Sequence, residues 1–127
     1  MRERPAIVRI LETPGADATR IAVTLAWQDE EFTGEAAGLS DAAHRPRIIG
    51  EATLRAVEAV TNNSITLSLD AIATTDLGEG QIAMAQVTLD GTDERLVGSA
   101  MVGENDEVAA TVKAVLDAIN RRLEREL

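Results

Sequence analysis

An internal repeat constrains this chain more than any other feature. Val23 to Ala36 aligns without a gap on Val87 to Ala100, with half of the positions identical. A second match follows in the same order, Ala52 to Val57 on Ala110 to Val115. The repeated unit covers about half of the chain, with one copy over about 6–60 and the other over about 64–123. Repeats of this size build pseudo-symmetric domains with a seam between the halves, and ligands and partner subunits tend to sit at seams.

Apolar periodicity supplies the elements. Ile21, Val23, Leu25 and Trp27 alternate with Ala22, Thr24, Ala26 and Gln28, which predicts a strand with one buried face. Ala6 to Glu12 precedes it as a short apolar strand, and a tight turn at Asp29-Glu30 leads to a third strand from Phe32 to Gly38. A polar connection with Ser40, Asp41, His44 and Pro46 opens a helix from about Ile48 to Val60. The order then recurs. Ile65, Leu67, Leu69 and Ala71 alternate with Thr66, Ser68 and Asp70, and strands from Ile82 to Leu89 and from Leu96 to Val102 follow. Along Ile82, Met84, Val87 and Leu89 the apolar phase switches, which predicts a bulge or burial on both faces. In the last helix Val108, Val112, Val115, Ile119 and Leu123 form one stripe behind an Asn105-Asp106 start, with Glu107 in the first turn.

These elements predict an α+β fold, internally duplicated as βββα-βββα, in one domain over residues 1–127. Antiparallel sheets carry two helices packed on one side. Ala52, Ala56 and Ala59 permit close approach to the first helix, and with Trp27 and Phe32 as the only aromatics the core is built from Val, Ile, Leu and Ala.

Charge and composition exclude several functions. A net charge of −10 argues against nucleic acid, because affinity for phosphate requires a basic surface. Arg121, Arg122 and Arg125 alternate with Glu124 and Glu126, as in a solvated helix end. No apolar run reaches the roughly 18 residues of a membrane helix, so the expectation is a cytoplasmic chain without a membrane partner. Cysteine is absent, and with it disulfides and thiolate chemistry. Asn62-Asn63-Ser64 reads as a turn.

Catalytic patterns are sparse. His44 is the only histidine, there is no tyrosine, and neither a nucleophile elbow nor a phosphate loop is present. Asp29-Glu30-Glu31 and Asp90 with Asp93-Glu94 fall on hairpin turns, where acids serve local hydrogen bonding, so no metal or other cofactor is expected. What recurs is a strand, Gly-x-Ala, helix pattern. Gly34, Ala36 and Gly38 in the first half, and Gly98, Ser99, Ala100 and Gly103 in the second, put small residues at a strand end before a helix. Such an end admits either a ligand carboxylate near a helix N-terminus or the close approach of another backbone. These seven residues are the candidate ligand or interface site.

Val97-Gly98-Ser99-Ala100-Met101-Val102, leading into the helix from Ala109 to Leu123 with Leu116-Asp117-Ala118-Ile119-Asn120-Arg121 near its end, resembles the C-terminal regulatory domain of 2-isopropylmalate synthases. The resemblance covers residues 6–123 and extends to the doubled three-strand-plus-helix order. It implies two units about a pseudo-twofold that dimerise and bind an amino-acid inhibitor at the dimer seam. The family's Gly-x-Gly reads Gly-x-Ala in both halves, and the first strand-to-helix connection is longer by Leu39 to Pro46. Ile21 to Val60 is also similar to the latter part of a double-stranded-RNA-binding domain, but His44, Arg45 and Arg47 are followed by Glu51 where that fold starts a helix with lysines.

Two functions follow as expectations. One is a stand-alone, non-enzymatic regulatory domain, homodimeric, that binds a small carboxylate metabolite between its halves or at a dimer seam. The alternative is a structural interaction module that oligomerises or docks on a protein partner without a ligand. An apolar face left open by the second-half strands would favour either.

Overall fold

The computed structural model describes residues 4–103 and 106–126. Strands β1 (Ala6–Thr13), β2 (Ala18–Trp27) and β3 (Glu30–Leu39) form an antiparallel meander, followed by α1 (Arg45–Val60). Strands β4 (Leu67–Leu77), β5 (Gly80–Leu89) and β6 (Arg95–Met101) form a second meander, followed by α2 (Glu107–Glu126). The expected α+β duplication is therefore present. Asn105, and the side chains of Arg121, Leu123 and Arg125, lie outside the described residues.

Turn chemistry sets the hairpins. Gln28 and Asp29, with φ of 49° and 64°, close β2 onto β3 in two residues, one position earlier than the sequence suggests. Between β5 and β6 the loop is longer: the Leu89 amide donates to the Glu94 carbonyl, and Gly91 takes a φ of 84°. This insertion corrects the gap-free repeat. Gly34 pairs with Val23 and Gly98 with Ala85, so the counterpart of Val23 is Ala85 rather than Val87. A slip of two residues keeps every side chain on its face, which is why the ungapped match reads well.

The helices carry a similar slip. Gly34 lies beneath Ala52 and Ala56 of α1, and Gly98 beneath Ala114 and Ala118 of α2. Ala52 thus corresponds to Ala114, one turn beyond the Ala110 of the sequence match. Alanine at every fourth position, Ala110, Ala114 and Ala118, makes adjacent turns nearly interchangeable in sequence.

The core is Val, Ile, Leu and Ala, with Trp27 and Phe32 half-buried against it. One side of α1 packs on β2 and β3, while at Gly50 it meets Leu69 and Ile72 of β4. α2 packs on β5 and β6 and against α1. α1 thereby contacts both sheets as well as α2. Its burial explains the position: along α1 only Arg47 and Arg55 are exposed. Such a helix needs apolar neighbours on more than one flank.

The polar stripe of α1 also covers the edge of β4. Arg47 and Arg55 donate to the carbonyls of Leu69 and Leu67, each at 2.8 Å, and Glu58 accepts the Leu67 amide at 2.8 Å. An unpaired strand edge is thereby satisfied by side chains. In the other repeat Pro5 stands where Leu67 does and has no N–H to offer, and Asn120 replaces Glu58.

Candidate functional site

The Gly-x-Ala residues separate by strand alternation. Gly34 and Gly98 are buried under helix backbone, and an added Cβ at either would collide with it. Gly38 lies against Ile48, whose Cγ1 would be 2.8 Å from such a Cβ. Ala36 and Ala100 are half-buried and pack against the core. In these positions the small residues serve strand-to-helix packing. Ser99 points to the opposite face of β6, and its amide donates to Asp117 of α2 at 3.0 Å. Of the four candidate glycines, Gly103 alone has open space where a side chain would be.

Gly103 belongs to a cleft of about 790 Å³ between the β4–β5 hairpin and the start of α2, where Asp76, Glu79, Asp106 and Glu107 face Arg45. A smaller cleft of about 340 Å³ lies at the equivalent place in the first repeat, between the β1–β2 hairpin and the start of α1. Arg45 lines both. Its guanidinium donates to Glu12 at 2.7 and 2.9 Å, and this hydrogen bond holds the Glu12 carboxyl below its usual range and raises Arg45.

The start of α2 already has its own acceptor, while the acceptor beside α1 takes the amide just ahead of the helix. The Ala109 amide donates to Asp106 at 3.1 Å, and the His44 amide donates to Asp41 at 2.8 Å. The ring of His44 donates to Asp41 as well, which lowers the Asp41 pKa. Ser40 Oγ donates to the Gly15 carbonyl at 2.8 Å and lies 2.8 Å from Thr19 Oγ1, so the serine nearest in sequence to His44 is engaged elsewhere. Among the described residues no group of three or more His, Cys, Asp or Glu side chains is placed to hold a metal. The hairpin acids have local roles: Glu31 pairs with Arg9, and Asp90 accepts from Ser68.

The residues least expected from their sequence positions are on the sheet surfaces turned away from the helices. On the second sheet Ile82 pairs with Met101, Met84 with Ser99 and Gln86 with Val97, and on the other flank these meet Thr75, Ala73 and Ala71. Val97 is 70% exposed, Met101 60%, Leu77 58% and Met84 40%. The corresponding surface of the first sheet is charged. Arg9, Arg20, Thr33 and Glu35 stand there where the second sheet has Ala71, Ile82, Val97 and Ser99, and Arg9 bridges β2 to reach Glu31 at 3.1 Å. Leu11 on β1 and Leu39 at the end of β3 are apolar exceptions on the first sheet.

The phase switch in β5 was the sequence signal for this surface. No register shift interrupts β5 against β6; the bulges fall in β1 and β4, at Ile7/Arg9 and Leu69/Ala71. The switch arises because β5 is apolar on both faces, Ala83, Ala85 and Val87 inward and Ile82 and Met84 outward.

Among the described residues no helix is long and apolar enough to cross a membrane. No protein-family model and no curated protein matches the chain.

Proposed function

We propose that this chain is a non-catalytic protein-interaction domain whose docking surface is the outer face of the second sheet. One observation carries the reading: at equivalent positions of the duplicated fold, Arg9, Arg20 and Glu35 on one outer face are replaced by the uncharged Ala71, Ile82 and Ser99 on the other, whose charges gather at the Arg95 end. Both faces have the same relation to their helices, so the fold itself does not require the difference. An exposed apolar patch costs solubility and marks an interaction site when it is retained.

Replacing Val97 by Thr and Met84 and Met101 by Gln tests this. If the face serves a partner, unfolding of the dilute variant in urea stays within about 0.5 kcal/mol of the parent, as for ordinary surface changes. A loss of several kcal/mol would show that these side chains hold the domain's own fold, and the reading would fail.

A small carboxylate metabolite at the two clefts is the competing reading, supported by their equivalent positions about Arg45. Local chemistry weighs against it, since Arg45 is engaged by Glu12 and four carboxylates line the larger cleft. A thermal scan against amino acids and 2-keto acids separates the two. Saturation a hundredfold above Kd raises stability by about 2.7 kcal/mol, so a flat scan removes the metabolite.

A further inference from the structure

We infer that the occupant of the second sheet's outer face is a second copy of the same face, paired about a twofold axis running along β5. The inference rests on the interaction reading above and adds the partner and its orientation.

Size and charge across the sheet carry it. A twofold axis parallel to β5 lays β6 of one copy over β4 of the other at the same level along the strands and sets Met84 against its own counterpart. The levels follow from the pairing: Val97 and Ala71 both flank Gln86, and Met101 and Thr75 both flank Ile82. Val97 of each copy therefore covers the Ala71 of the other, and Met101 covers Thr75. Large side chains on one edge strand meet small ones on the opposite edge strand, as interdigitating sheet faces require. At the next level Arg95 and Ser68 both flank Thr88, and Asp70 lies beside them, accepting from the Thr88 hydroxyl. The same axis brings Arg95 of each copy to Asp70 of the other. Turning the axis across the strands would instead place β6 over β6, large against large, and leave Arg95 over the Met101 end.

The pairing closes on itself. Because both copies use one face, assembly stops at two. The chain's net charge of −10 opposes association, but on this face the charge is confined to the Arg95 end. Three strands with a row spacing near 3.4 Å give a contact of roughly 400 Å² per copy in projection, the size of a reversible encounter and not of an obligate dimer.

Sedimentation of the full chain from about 1 µM to about 1 mM, the range in which contacts of this size dissociate, should show a monomer–dimer equilibrium. Met84→Glu should weaken it by more than about tenfold, since the charge is buried at the centre of the contact. Arg95→Asp and Asp70→Arg should each weaken it, and the double exchange should restore it. The chain has no cysteine, so Met84→Cys gives an independent readout that does not depend on those variants folding. Because packed sheets stand about 10 Å apart, beyond direct disulfide reach, a short bifunctional thiol reagent should join it into a covalent dimer, whereas Leu39→Cys, on the first sheet, should not be joined. A chain that remains monomeric throughout would overturn the self-pairing. If the polar replacements of Val97, Met84 and Met101 are then neutral for stability, the interaction reading survives with a different partner. A dimer indifferent to Met84→Glu, or cross-linked only through Leu39→Cys, would place the contact elsewhere and overturn it too. Failure of the double exchange to restore association would overturn the axis along β5.

Discussion

Arg45 and Glu107 open the two helices at equivalent positions of the repeat, and the charge of Glu107 reaches Arg45 across the seam between the halves. The repeat thus places opposite charges where a symmetric copy would place like ones. Arg45 satisfies two acidic surroundings at once, Glu12 of its own unit by hydrogen bond and Glu107 of the other by field.

Glu12→Gln should lower stability at neutral pH by at most about 1 kcal/mol, because both partners are partly solvated. The sign with pH is fixed by the lowered carboxyl pKa. The carboxylate's contribution is complete above its unfolded value of about 4.3 and is lost as pH falls through the lower folded value. Urea unfolding of both proteins should differ at pH 7 and converge in strong acid. A difference that persists there would mean the carboxylate's charge is not responsible.

Gly34→Ala and Gly98→Ala should each destabilise by about 2 kcal/mol or more, since the new methyl meets helix backbone that has nowhere to move. Gly103→Ala, with open space around it, should cost much less. Denaturation midpoints of the three variants give the ranking. Equal small effects would refute the helix contact.

Glu58→Ala should leave the Leu67 amide without its acceptor, at a cost of about 1–3 kcal/mol. Hydrogen exchange at Leu67 should accelerate, while Glu58→Gln, which keeps an acceptor oxygen, should preserve most of the protection. Unchanged exchange in both variants would show that the edge of β4 is held by Arg47 and Arg55 alone.

Much of the fold was legible because its signals are local and periodic. The alternation in β2 and the Val112, Val115, Ile119 stripe of α2 stand in the sequence as they do in space. The turn and helix bounds moved by a few residues. Pro46, which the sequence places in the polar connection, is inside the first turn of α1, where its missing N–H costs nothing. The candidate site was less legible. Gly34 and Gly98 signalled close approach correctly, but a small residue carries no label for what approaches it, and the neighbour is helix backbone. The outer face of β5 and β6 was visible only as a broken phase, since a sheet's second face becomes a surface only when nothing folds over it.

By itself the sequence determined the duplication, the order βββα-βββα and the inward faces of the strands, because pleat and helix periods translate residue spacing directly into direction. Only the tertiary structure decided the true register of the repeat, since slips of two in a strand and four in a helix leave those directions intact. It alone also decided that α1 contacts both sheets and that Met84, Val97 and Met101 remain uncovered. Burial depends on neighbours distant in the chain, and no local spacing encodes them.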